Sequence, residues 1–304
     1  MTKPKLFPLN QLGFVLLFLT FSSAAIASQE CDFATDLLFR AYHLQSQNRA
    51  VSRQKLLFEK SLQLCPDKPE VHNALASILE KQGNYAEAVK SYKQTIRYEK
   101  NFYKAWYALG ETYYKQKRFP LSLETHLHLC QINPASKARV MELLKSERYS
   151  FTRKGDIIDQ ESLLVLYDEK RLKRLNKKII DCGLSKKVQP TQNFINPDFG
   201  LGSSRLSPKL DSQLDEIVTA LKHLKSPTII LHGHTDSRRF LSTTAADSKK
   251  LNLKLSGERA ESFKTALLKR GISKESINIQ AHGDKHLIFP IFRAENRRVE
   301  VEVR

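Results

Sequence analysis

Beyond its first 27 residues the 304-residue chain has no apolar run long enough to cross a membrane as a helix, which excludes a polytopic helical membrane protein. It is not poor in apolar residues, however. At 41% hydrophobic and 27% charged, the composition excludes wholesale disorder and leaves room for two modest domains. Negative charge is the scarce sign, with 32 Asp and Glu against 50 Lys and Arg, for a net charge of +18. A nucleic-acid binder concentrates such an excess on one module with interleaved aromatics. Here the charge is spread along the chain, so no nucleic-acid partner is expected and an anionic envelope surface is the simpler attraction. Nothing resembles a nucleophile–base pair or a paired-carboxylate cleft, so no catalytic residue, cofactor or metal is expected.

The first segment sets the compartment. Lys3 and Lys5 supply a positive start, Leu12 to Phe21 is an apolar run, and Ala25-Ile26-Ala27 has the small-x-small pattern of a signal-peptidase site. Residues 1–27 are therefore expected to be a cleaved signal peptide, the alternative being an uncleaved anchor. A lipid anchor on Cys31 is disfavoured, because Ser28-Gln29-Glu30 lacks the small apolar residues a lipobox carries. Four cysteines in an exported chain allow two disulfides in three connectivities. Cys31 precedes a helical hairpin that Cys65 closes, which leaves Cys130 and Cys182 as the other pair; four buried thiols are the alternative.

From Thr35 to Pro134 the chain repeats itself at a spacing of 34 residues. Leu38, His72 and Trp106 align, as do Tyr42, Ala76 and Gly110, then Phe58, Tyr92 and His126. Each unit carries two segments of helical periodicity joined by a short turn such as Lys81-Gln82-Gly83-Asn84. Small residues fall where paired helices must approach: Ala76 and Gly110 on the first, Ala88 and Ser122 on the second. This layout resembles tetratricopeptide repeats, about three units over 35–135, the first degenerate with Tyr42 and Gln54 at positions that favour small residues. The resemblance implies an α-solenoid whose groove holds a protein partner, with Asn73, Lys104 and Tyr107 as candidate groove residues. Trp106, Tyr113, Tyr114 and Phe119 are read as core.

Residues 136–193 read as a basic helical connector. Ser136 to Glu147 is expected to cap the last repeat. Asp159 to Cys182 reads as one amphipathic helix, with Leu163, Leu166, Tyr167, Leu172, Leu175, Ile179 and Ile180 opposite Lys170, Arg171, Lys173, Arg174, Lys177 and Lys178. A solvated face is the plainer reading of that charge, and a peripheral outer-membrane contact the functional one. Pro190 to Asn193 reads as a linker.

From Phe194 helices and strands alternate, predicting a compact α/β sandwich over 194–304. Four motifs stand here in order: Ile-Leu-His-Gly-His-Thr-Asp-Ser at 230–237, Asn-x-x-Leu-Ser-x-x-Arg-Ala at 252–260, Arg-Gly-Ile at 270–272 and Asn-Arg-Arg-Val-Glu-Val at 296–301. Together they resemble the OmpA C-terminal family, which includes Pal lipoproteins and the periplasmic part of MotB. The fold class expected is thus an N-terminal α-solenoid plus a C-terminal OmpA-like α/β sandwich. The resemblance implies noncovalent binding of peptidoglycan through the diaminopimelate of its stem peptide, in the periplasm of a Gram-negative bacterium. That ligand is a zwitterion, and the family's motif positions place Asp236 on its ammonium and Arg259 on its carboxylate. Thr235 stands in the same motif, Asn252 is expected to cap the helix and shape the pocket, and Arg297 is a further candidate contact. One departure stands out. From Asp236 to Asn252 is 16 residues, about twice the family's gap, without its glycine after the aspartate. Residues 237–251 are therefore expected to be an enlarged surface loop that can lid the pocket. Two alternatives remain. The protein is an anchor or regulatory subunit of an envelope machine for secretion, motility or wall synthesis, or, remotely, a metal-dependent hydrolase using His232, His234 and Asp236.

Overall fold

The computed structural model describes residues 28–44, 51–152, 156, 158–194, 199–289 and 294–304, so the expected leader lies outside the described residues. The chain divides into two compact units, 1–108 and 109–304. Helices α1 (28–44), α2 (Val51–Leu64), α3 (Pro69–Lys81) and α4 (Tyr85–Tyr98) belong to the first, and the division falls within α5 (Tyr103–Lys115).

In α3 the buried positions Val71, Ala74, Leu75, Ile78 and Leu79 recur at helical spacing, and Pro69 opens the helix where its missing N–H costs nothing. The hairpin turn into α4 puts Gly83 at φ +78, the left-handed conformation that stops one helix so the next can fold back. Buried Ala76 and Ala88 allow the two helices to touch. Cys31 and Cys65 form a disulfide across the first hairpin, with Cα atoms 4.9 Å apart. In that degenerate first repeat Gln54 is buried, while Tyr42 is turned partly outward with its ring edge-on to Phe58 at 5.8 Å.

In the second unit the third repeat closes on itself. Gly110 lies under the buried His126 ring so closely that a Cβ would strike it, and Ser122 Oγ donates to the Gly110 carbonyl at 2.9 Å. Tyr113 and Phe119 are core, as expected, whereas Trp106 and Tyr114 are only half-buried. Lys117, one repeat on from Gly83, takes the same left-handed turn at φ 61 without being glycine. Glu111 lies between His126 Nε2 at 3.2 Å and Arg139 Nη2 at 2.9 Å. Burial would raise its pKa, but hydrogen bonds and charge from His126 and Arg139 outweigh that and pull it down to about 2.

After α6 (Phe119–His126) and α7 (Pro134–Ser146), the segment read as a connector is bound into this unit. The single expected helix is two, α8 (Gln160–Tyr167) and α9 (Glu169–Asp181), because Asp168 is extended and its carboxylate accepts from the Arg171 N–H as a new N-cap. Of the basic stripe, Lys170, Lys173, Arg174 and Lys177 are exposed. Arg171 is instead bound by Glu124, and Lys178 lies 2.8 Å from His128. The second disulfide, Cys130–Cys182, fixes the end of α9 beside the end of the third repeat.

The expected linker is also a correction. Thr191–Phe194 is a strand, β2, which pairs with the short β1 (Phe151–Thr152) on one side and with β5 (Val299–Val303) on the other. Backbone pairing and burial of Phe194 against Phe263, ring centroids 5.7 Å apart, outweigh the turn signal of Pro190. With β3 (Ile229–Gly233) and β4 (Ile277–Ala281), the sheet order is β1-β2-β5-β3-β4, and β5 is antiparallel to both neighbours. Val299, Val301 and Val303 face the core, while Glu300 and Glu302 face the other way. The core side is covered by α10 (Asp211–His223) and α11 (Ala245–Lys269), through Ile217, Leu221, Phe263 and Leu267.

Two outcomes follow. Lys117→Gly should raise stability by about 0.5–1 kcal/mol, the left-handed strain removed less the added freedom of the unfolded chain; urea melts measure it. A carboxylate whose folded pKa is depressed stabilises above its unfolded pKa and loses that contribution as pH falls. Glu111→Gln should therefore be less stable than wild type at neutral pH, the gap closing as pH falls from 4.5 to about 2. A gap independent of pH would place the effect elsewhere.

Candidate functional site

The site is built where β3 runs into α11. A Cβ on Gly233 would collide with the Ser256 carbonyl, so glycine here, with Ser256 and Ala260 fully buried opposite, lets the helix lie directly on the strand end. The chain then turns as His234-Thr235-Asp236, held by Thr235 N donating to the Gly283 carbonyl at 2.9 Å. Beneath this turn lies Arg259, the largest fully buried side chain among the described residues, at 0% exposure. Its guanidinium donates to three backbone carbonyls, Ser203 at 3.0 Å, His234 at 3.1 Å and Gly200 at 3.4 Å, and sits 5.1 Å from the Phe199 ring. A guanidinium has more donors than these carbonyls use, so capacity remains for a carboxylate. Burial and then the charge of Arg297, opposed by Asp236, bring its pKa down to about 10, so it remains a cation at neutral pH.

Asp236 is 4% exposed and accepts from Arg297 Nη1 at 2.8 Å and from the Arg238 N–H at 3.3 Å. Arg297 in turn donates through Nε to the Phe199 carbonyl at 3.2 Å. The closest ion-pair partner of Asp236 is thus Arg297, which the sequence offered only as a further candidate contact. All five expected residues, Thr235, Asp236, Asn252, Arg259 and Arg297, line one open cavity of about 580 Å³. Arg238, Arg239, Phe240 and Leu241, which the sequence placed in the enlarged loop without singling them out as site residues, share its walls. The run of two arginines and two apolar residues beginning two positions after the aspartate was the available signal.

Two expectations are corrected here. Asn252 does not cap α11: the helix begins seven residues earlier, with Thr244 as the N-cap accepting from Asp247 N at 3.1 Å. Asn252 is inside the helix, buried, and its Nδ2 donates to the Arg238 carbonyl at 3.2 Å. Residues 237–251 are accordingly not one long loop. Their second half extends the helix, because Ala245 to Leu251 has helix-forming residues behind a good cap. The short remainder is tied down by Phe240 N donating to Ser248 Oγ at 2.7 Å, and at its tip Leu241 is 94% exposed.

The metal-hydrolase trio is corrected too. His232 is bonded to His282 and Glu302, whereas Asp236 faces Arg297 in the cavity. Among the described residues, the group of His, Cys, Asp and Glu atoms spaced for one ion is Cys31, Cys65 and Asp67, and those cysteines are disulfide-bonded. The closing Asn-Arg-Arg divides its work. Asn296 accepts from the Ile288 and Phe289 N–H groups, Arg297 holds Asp236, and Arg298 donates to Asn193 Oδ1 and to the His286 carbonyl. Among the described residues no helix is long and apolar enough to cross a membrane.

Two stretches of the chain match known families. Residues 198–299 match the OmpA family, and residues 73–135 match a tetratricopeptide repeat family. The chain thus carries an OmpA-like domain preceded by tetratricopeptide repeats; the degenerate first repeat lies outside the matched stretch. Outer membrane protein A of Buchnera aphidicola subsp. Schizaphis graminum is 32% identical over 124 residues, covering 36% of this chain and 33% of that protein. Outer membrane protein A of Bordetella avium is 34% identical over 109 residues, covering 34% and 52% respectively. The chain therefore spans between a third and about half the length of these relatives. Among solved structures, the periplasmic domain of Helicobacter pylori MotB is 21% identical, covering 37% of this chain and 74% of that one, with a TM-score of 0.33. The peptidoglycan-associated lipoprotein from Burkholderia pseudomallei is 22% identical, covering 35% and 86%, with a TM-score of 0.31.

Removing one partner from a buried ion pair leaves an uncompensated charge, which costs far more than the intact pair contributes. Arg297→Ala should therefore destabilise the protein by about 3 kcal/mol, and adding Asp236→Asn should recover part of that loss. A double-mutant cycle in urea measures the coupling, and strict additivity would show the pair to be energetically idle.

Proposed function

We propose that this protein is a non-catalytic component of the bacterial cell envelope that docks noncovalently on peptidoglycan through its OmpA-like domain, while its repeats hold a protein partner. In this reading the ligand is the diaminopimelate of the stem peptide, in the periplasm. Its carboxylate takes the N–H donors of Arg259 that the carbonyls leave over, and its ammonium approaches Asp236. The single observation that carries the reading is the buried cation and buried anion opening into one cavity, complementary to a ligand with both charges. Each charge is fixed before the ligand arrives, Arg259 by three carbonyls and Asp236 by Arg297, so little ordering remains to be done on binding. Arg238 and Arg239 at the rim add positive potential that draws in an acidic peptide. The family resemblance of residues 198–299 supports the same reading.

The test is sedimentation with purified sacculi, comparing wild type with Asp236→Asn and Arg259→Lys, each first shown by thermal melting to be folded. Arg259→Lys keeps the charge but loses the planar fork, and both variants should sediment at least tenfold less. Wild-type binding should persist in salt that screens a generic basic surface. Folded variants that sediment like the parent would sink the site assignment.

A further inference from the structure

On the face of the sheet away from α10 and α11 lies a cluster of imidazoles that the cavity does not use. We propose that His232, His234, His282 and His286 form a binding site for one divalent transition-metal ion of the zinc class. His282 is the hub. Its ring centroid is 5.2 Å from that of His232, 4.9 Å from that of His234 and 5.0 Å from that of His286. Two imidazoles on one tetrahedral zinc, with Zn–N near 2.0 Å, have ring centres about 5 Å apart, so the hub pairs have the centre spacing of co-ligands. The nitrogens of three rings do not yet converge on one point, His232 and His234 lying 20° and 13° from parallel with His282. His234 and His286 are wider, at 6.3 Å, and the rings have to turn to converge.

The hydrogen bonding already prepares one ligand. His232 Nε2 donates to Glu302 Oε2 at 3.0 Å, and Glu302 is itself held by Arg304 Nε at 2.7 Å. A carboxylate on one imidazole nitrogen fixes the tautomer and leaves the lone pair on the other, the arrangement that braces metal-bound histidines. The lone pair of His232 Nδ1 points at His282 Nε2, 2.9 Å away. An ion entering between them takes both lone pairs, the His282 proton passing to its Nδ1. The second, independent observation is His234. It is 3% exposed, and neither ring nitrogen has a hydrogen-bond partner among the described residues. A buried imidazole without a partner loses the hydrogen bonds it had with water, and a metal bond restores that loss. Glu300, 3.7 Å from His234 Nε2, and Glu302 offset the positive charge of Arg298 and Arg304 around the cluster. His286 is exposed on the turn after β4, which gives the ion its way in.

The site is independent of peptidoglycan binding and is tested without it. The untagged full chain is titrated with zinc chloride by calorimetry, alongside His282→Ala, His286→Ala, Glu302→Gln and, as a control on α10, His223→Ala. One zinc per chain is expected. Affinity should fall at least tenfold in His282→Ala and His286→Ala, should fall about tenfold in Glu302→Gln, and should be unchanged in His223→Ala. Cobalt in place of zinc should give the intense visible absorption of a tetrahedral site. His286→Ala, an exposed-loop change, decides the matter if His282→Ala fails to fold. Less than stoichiometric zinc in the wild type, or full affinity in His286→Ala, overturns the proposal.

Discussion

Removing a guanidinium from water completely is among the most expensive choices a fold can make, and the C-terminal half of this molecule is arranged around having made it. Arg259 needs acceptors that side chains do not supply, so the backbone does. The carbonyls of Gly200 and Ser203 come from the segment before α10, and that of His234 from the end of β3. Those contacts fix where the Thr235-Asp236 turn lies, and Asp236 is in turn fixed by Arg297. Gly233 is the enabling residue, since only a strand end without a side chain lets α11 come close enough. Positioning of the cavity's charges and packing of helix on strand are one constraint seen from two sides.

Much of this was legible in the residues themselves. The 34-residue period located the helical pairs, and Gly83, Ala76 and Ala88 showed why the hairpins close. The alternation of Val and Glu at 299–303 gave the inward and outward faces of β5 correctly. The motif order brought Thr235, Asp236, Asn252, Arg259 and Arg297 to one place. Where the reading fell short, the reason was a local signal overruled or mistaken. Asp168 sits amid strong helix formers, and only its capping bond to Arg171 N reveals a break. Thr191–Phe194 is too short and too polar to announce a strand without its partner β5. Thr244 was a good N-cap, missed because Asn252 belonged to a motif and attracted the role. Nothing in the spacing of His232, His234, His282 and His286 announces that they meet, because strand pairing between β3 and β4 alone brings the last two beside the first two.

The sheet also shows how far the OmpA-like domain depends on chain outside its matched stretch. Its central strand β5 has β2 as one neighbour, and β2 in turn has β1, yet residues 151–152 and 191–194 both precede residue 198. The helices between them, α8 and α9, carry six Lys and Arg side chains, but these are not uniform in kind. Arg171 is bound to Glu124 and Lys178 lies against His128, so they fix structure, whereas Lys170, Lys173, Arg174 and Lys177 face solvent.

The Cys130–Cys182 disulfide has a mechanical meaning. Under the proposed function the protein is a tether, held at one end by a rigid wall and at the other by a partner, and tension runs along its covalent backbone unless a shorter route exists. The crosslink is that shorter route. Force entering at residue 130 passes directly to residue 182, leaving α7, β1, α8 and α9 in an unloaded loop. The sheet's edge strand and the helices beside it are thereby relieved of strain that would otherwise peel them away first, and the load falls on the segment leading into β2, which is gripped along its length by β5.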